Sequence, residues 1–183
     1  MVLTAFSVSV FANPILGTTC GSPDRVASLA GGAQCAYGNG NPDATDITSY
    51  YGDVWGSAGE LTGDGTNGYL SATSDAGWGV IPNSGTISID ASFWSVYDSA
   101  VVTMHIGNGA GDPDHWAWLT IDNLIFSSWT LDYIPGGTEA GGGLSNIKLW
   151  GVRGDGDVPE PGMIALLAIG LVGAGLVRRR TKA

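Results

Sequence analysis

Residues 162–177 (GMIALLAIGLVGAGLV) are 16 consecutive positions without a polar side chain, followed at once by Arg178, Arg179 and Arg180. As a helix the run would span about 24 Å, short of a bilayer core of roughly 30 Å. The arginines can snorkel to cover part of the gap. Four Leu, two Ile and two Val favour insertion by roughly −2 to −5 kcal/mol, partly offset by four glycines. Insertion is therefore favourable but marginal, as suits a segment destined for removal. A buried core helix would have little reason to be so uniformly apolar and to end in a basic tail. The basic cluster stays cytoplasmic by the positive-inside rule, which places everything ahead of the helix outside the cell.

The front of the chain gives the same topology. Residues 2–12 (VLTAFSVSVFA) are apolar and uncharged, and Val10 and Ala12 stand at the −3 and −1 positions of a signal-peptidase site. Residues 1–12 therefore read as a cleavable signal, passed through the Sec translocon and cut by signal peptidase after Ala12. No Lys or Arg precedes the run, so either the true start lies further upstream or the signal is atypical. The competing reading is a buried first strand with alternating Val8 and Val10.

What lies between is one ordinary domain, residues 13–150, with a flexible tether at residues 151–158. Thirty glycines in 183 residues disfavour long helices, since each interior Gly costs a helix about 1 kcal/mol relative to Ala. Period-two alternation recurs instead. Ile87 and Ile89 share a face, as do Val102, Met104 and Ile106, then Ala117, Leu119 and Ile121, then Trp129, Leu131 and Tyr133, then Ile147 and Leu149. Turn-forming stretches separate these runs, and no helical periodicity precedes the anchor. The expected fold is all-β: an antiparallel β-sandwich, jelly-roll-like.

Residues 13–158 hold three basic side chains against 16 acidic ones, a net charge of −13. Such a domain repels phosphate backbones, which argues against nucleic-acid partners. The two cysteines, Cys20 and Cys35, read as a structural disulfide in an exported chain. Gly17-Thr18-Thr19 ahead of Cys20 lacks the pattern of a lipid-acceptor cysteine.

Pro159-Glu160-Pro161, the apolar run and the arginine cluster Arg178 to Arg180 stand in the order and spacing of a PEP-CTERM sorting signal, which the last 25 residues, 159–183, resemble. The resemblance implies recognition and cleavage by exosortase, an integral-membrane transpeptidase. It also implies delivery to the surface of Gram-negative bacteria that make exopolysaccharide. The stretches GWGVI, SGTISI, VVTMHIGNG, FSSWTLDY and LSNIKLWGV are similar to passenger domains of that family, which supports a shared β fold more than a shared activity. The two prolines fix φ and remove backbone donors, so they hold the chain extended before the helix. Glu160 sits where a carboxylate favours a helix N-terminus.

Catalytic signatures are sparse. The sequence has two histidines and no HExxH, GxSxG, Walker loop or CxxC. Asp112, Asp114 and His115 have ligand chemistry, but their close spacing suits turn formation better. The acidic glycine loops at residues 63–68 and 154–157 resemble fragments of calcium loops without the full spacing. The expectation is no cofactor beyond adventitious calcium, and no enzyme. Trp116 and Trp118 fall on one strand face, opposite Ala117 and Leu119. If exposed, they are a sugar-stacking platform and the domain is a carbohydrate-binding module. If both faces are covered, they fill a glycine-rich core, which is the preferred reading. The leading expectation is a non-enzymatic surface or matrix protein associated with exopolysaccharide.

Overall fold

A computed structural model describes residues 15–21, 24–107, 112–134 and 142–154. They hold strands β1 (Ile15–Leu16), β2 (Thr19–Gly21), β3 (Arg25–Leu29), β4 (Gly32–Gly38), β5 (Gly56–Leu61) and β6 (Gly65–Asn67). Then come β7 (Leu70–Ser74), β8 (Asn83–Ile89), β9 (Ser99–Gly107), β10 (His115–Thr120), β11 (Phe126–Tyr133) and β12 (Gly143–Val152). One α-helix, α1 (Ala44–Tyr51), and one 3₁₀ turn (Ala91–Ser95) complete the set. The strands form two antiparallel sheets, ordered β1-β4-β10-β9-β12-β5 and β2-β3-β11-β8-β7-β6.

The inner faces of the two sheets make the main core. Cys35, Val102, Met104, Trp116, Trp118, Ile147 and Leu149 come from the first sheet; Ala27, Leu29, Ile87, Ile89, Trp129 and Leu131 come from the second. The expected alternation is plainest in the second sheet, where β8 and β11 bury every other residue. Such strands face the core on one side and water on the other.

The first sheet differs, because both of its faces are covered. Along β10 five of six residues are buried, and along β12 eight of ten. The cover on the outer face is α1 with the segment behind it: Ile47 and Trp55 pack on Val101, Ala117 and Trp150 in a second apolar cluster. This helix departs from the purely β reading, and the absence of helical periodicity in the sequence did not announce it. It is only eight residues long, too short to leave a periodic signature. Its N-terminus is fixed locally: Asp43 accepts from Thr45 N and Asp46 N at 2.7 and 3.1 Å, and Asp46 Oδ2 accepts from Asp43 N at 2.9 Å. That reciprocal capping satisfies amides a helix start would leave orphaned.

Glycine makes room for tryptophan between the sheets. A Cβ at Gly85 would lie 2.7 Å from the Trp129 ring, and one at Gly32 would lie 2.7 Å from Trp118 Cδ1. β12 continues through Val152, and the compact unit closes at Arg153, so Gly151 and Val152 belong to the sandwich and not to the tether.

Candidate functional site

Trp116 and Trp118 share a face, as their spacing requires, but it is the inner one. Both are 0% exposed within the core between the sheets. Trp118 Nε1 donates to Thr18 O at 3.0 Å. The two rings form no platform, and the sugar-stacking reading of this pair is overturned. Because β10 is covered on both sides, its alternation carried no information about which face meets water.

Cys20 and Cys35 are joined in a disulfide with Cα atoms 6.2 Å apart. Cys20 lies on β2 and Cys35 on β4, so the bond links the two sheets through the core rather than closing a surface loop. Beside it, Trp118 is the Cα partner of Cys35.

Both histidines lie on the outer face of the first sheet. His105 on β9 and His115 on β10 are direct cross-strand partners, and Asn146 on β12 flanks His105 on the other side. The turn before α1 and the helix itself close over them. His115 is 1% exposed. Its Nδ1 lies 2.8 Å from Gly40 O and its Nε2 2.9 Å from Tyr50 Oη. A carbonyl only accepts, so Nδ1 carries the proton and Nε2 accepts from the tyrosine. Burial holds the His115 pKa below its ordinary value. Burial, and next the neighbouring His115, do the same for His105. The same packing pushes Tyr50 up to about 12, with Asp46 adding to the effect.

Lys148 is buried under the loop, donating to Pro42 O at 3.1 Å, with Glu60 Oε1 at 3.7 Å and the Trp150 ring centroid at 5.7 Å. Asn146 Nδ2 reaches Asn41 Oδ1 at 3.3 Å. Asp114, whose pairing with His115 suggested metal chemistry, instead holds the buried Arg25 at 3.5 Å and accepts from Gly40 N at 3.2 Å. Among the described residues no three His, Cys, Asp or Glu side chains converge on a cation position. With both nitrogens of His115 engaged, the cluster is built to hold the 39–55 cap on the sheet. The sequence hides this role because Asn41, Tyr50, His115 and Lys148 meet only in the fold. The Asp43–Asp46 spacing was the one local clue.

The remaining expected site residues, Pro159, Glu160, Pro161 and Arg178 to Arg180, lie outside the described residues, as do the signal at residues 1–12 and the apolar run at residues 162–177. No helix among the described residues is long and apolar enough to cross a membrane.

Fold and site together define a small antiparallel β-sandwich domain, linked across its sheets by a disulfide and capped on one outer face. Residues 157–180 match the PEP-CTERM protein-sorting motif, which takes in Pro159, Glu160, Pro161 and the arginines. That motif marks the chain as an exported protein, transiently anchored in the membrane and targeted by exosortase for sorting to the surface. No curated protein and no solved structure matches the chain.

Proposed function

We propose that this chain is a non-enzymatic surface or extracellular-matrix protein, sorted and cleaved by exosortase and associated with exopolysaccharide. The observation that carries the reading is the sorting motif at residues 157–180, placed directly behind an acidic β-sandwich. Export through the Sec translocon, with signal peptidase cutting after Ala12, brings the domain across the inner membrane. The basic tail remains inside until exosortase releases the protein. Two features support an exterior life. A cross-sheet disulfide suits an oxidising compartment, and a net charge of −13 over residues 13–158 keeps the domain soluble there. A structural role is supported by the polar cluster, in which both ring nitrogens of His115 and the Lys148 ammonium bond to the cap.

The test is the fate of two variants in the native host. Glu160→Ala should accumulate as full-length protein in the membrane fraction. Deletion of residues 162–183 should release protein to the periplasm or medium. Glu160→Ala processed like the native chain would count against recognition of this motif.

A further inference from the structure

The outer face of the second sheet is the counterpart of the capped face on the first, and no described element covers it. Three cross-strand rungs make up the body of this face, and a fourth at its margin joins Gly21, Val26 and the acidic Asp132. In one, Thr19, Ser28, Thr130 and Ser84 stand abreast. The next joins Ser128, Thr86 and Thr73. The third joins Phe126, Ser88, Ser71 and Thr66. Ten of the eleven side chains in these three rungs carry a hydroxyl, and none is charged. In a domain with 16 acids over residues 13–158, a merely solvated face would be expected to carry its share of them. The acids closest in sequence and register stand at the margin: Asp132 follows the first rung on β11, and Asp75 accepts from Ser84 Oγ at 2.7 Å.

The hydroxyls are already organised. Ser28 pairs with Thr130 at 2.6 Å, Thr66 with Ser71 at 2.7 Å and Thr73 with Thr86 at 2.9 Å, all at exposed positions. Each pair uses one proton and leaves another proton and several lone pairs facing outward. Strand geometry sets the array on a grid of roughly 4.8 Å by 6.8 Å. A groove of about 260 Å³ runs along its β6–β8 side, lined by Thr66, Ser71, Thr73, Thr86 and Ser88. In the third rung Phe126 is 61% exposed, an apolar side chain set among hydroxyls.

The geometry points to this face as a binding surface for a neutral polysaccharide, with Phe126 as the stacking ring. The inference rests on the matrix association proposed above and moves the sugar contact away from the buried Trp116 and Trp118. Hydroxyls that both donate and accept match sugar hydroxyls without the desolvation cost that charged groups bring. A flat aromatic ring takes the apolar face of a pyranose. A face with no cation among the described residues, and with acids at its rim, disfavours a polyanionic chain.

The test uses the mature protein purified from its exporting host, with Thr73→Val, Thr86→Val and Thr130→Val combined, and Phe126→Ser separately. Valine keeps shape and strand preference while removing the hydroxyl. Retention is measured by pull-down and affinity electrophoresis on cellulose, mixed-linkage β-glucan, dextran and anionic alginate. The native protein should be retained by a neutral polymer and not by alginate. Each variant should lose at least tenfold in retention at an unchanged or higher melting temperature. Equal retention of native and variant proteins overturns this face as the site, while co-fractionation with the host matrix still upholds the broader reading. Loss of matrix co-fractionation with no polymer bound overturns both. A native dimer that becomes monomeric in the valine variant, without polymer retention, makes the face a self-interface and overturns the proposal.

Discussion

Three tryptophans that sequence alone could place on either side of a strand, Trp116, Trp118 and Trp129, are among the largest fully buried side chains. Truncating such a ring leaves a cavity the sandwich cannot close, so Trp118→Ala should cost about 3–5 kcal/mol in urea unfolding. A finer contrast follows from hydrogen bonding. Trp118 Nε1 donates to Thr18 O, whereas Trp116 Nε1 has no acceptor among the described residues. Trp118→Phe removes one of the two hydrogen bonds to Thr18 O, which keeps Leu29 N at 2.9 Å, whereas Trp116→Phe removes none. The first should be more destabilising by about 1 kcal/mol, and equal losses would contradict the assignment. His115 and His105 supply a pH signature. Both have folded pKa values held below the ordinary value by burial. Below about 6.5 the unfolded chain takes up protons that the folded one resists. Their contribution is therefore complete above that value and lost as pH falls towards the folded values. Asp43 and Asp90, with pKa values lowered by hydrogen bonds, add losses only below their ordinary value of 3.8. Urea midpoints should fall between pH 7.5 and 5.5, and His115→Asn should make the fall shallower. A midpoint that rises on acidification would refute the buried, neutral imidazole.

Individual elements were legible where one face meets water. The Ile87/Ile89 and Trp129/Leu131 alternations lie in β8 and β11, which bury one side only. Where both faces are covered, the pattern blurs: Thr103 and His115 are as buried as Met104 and Trp116. There the periodicity gives the strand and not its orientation. Helix α1 was missed because it spans little more than two turns and buries only Ile47 fully. What creates it is its cap and its landing site on Ala117 and Trp150. Asp43→Ala should cost about 1 kcal/mol and speed amide exchange across α1, with the second sheet unaffected. Uniform protection would show that the cap does not control the helix. The disulfide acts between elements, tying β2 to β4 and hence sheet to sheet. Closing a 15-residue separation is worth about 3 kcal/mol in the chain-entropy account. Reduction should lower the urea-derived stability by that order, and no change would mean the sheets are held fully by packing.

At the scale of the molecule the chain divides by destination. The sandwich closes at Arg153, and the sorting motif occupies residues 157–180. That tag was legible because its parts are consecutive: two prolines, an apolar run and a basic end need no fold to be read. The cap cluster and the hydroxyl face were not, because each assembles residues from four or more separate strands or loops. The proposed function makes the last residues an address and not part of the working protein. The decisive measurement is intact-mass spectrometry of the protein recovered from the outside of its own host. The expected chain begins near Asn13 and ends at or near the Pro159-Glu160-Pro161 motif, without residues 162–183. A recovered chain that still carries Arg178 to Ala183, in a cytoplasmic fraction, would contradict it.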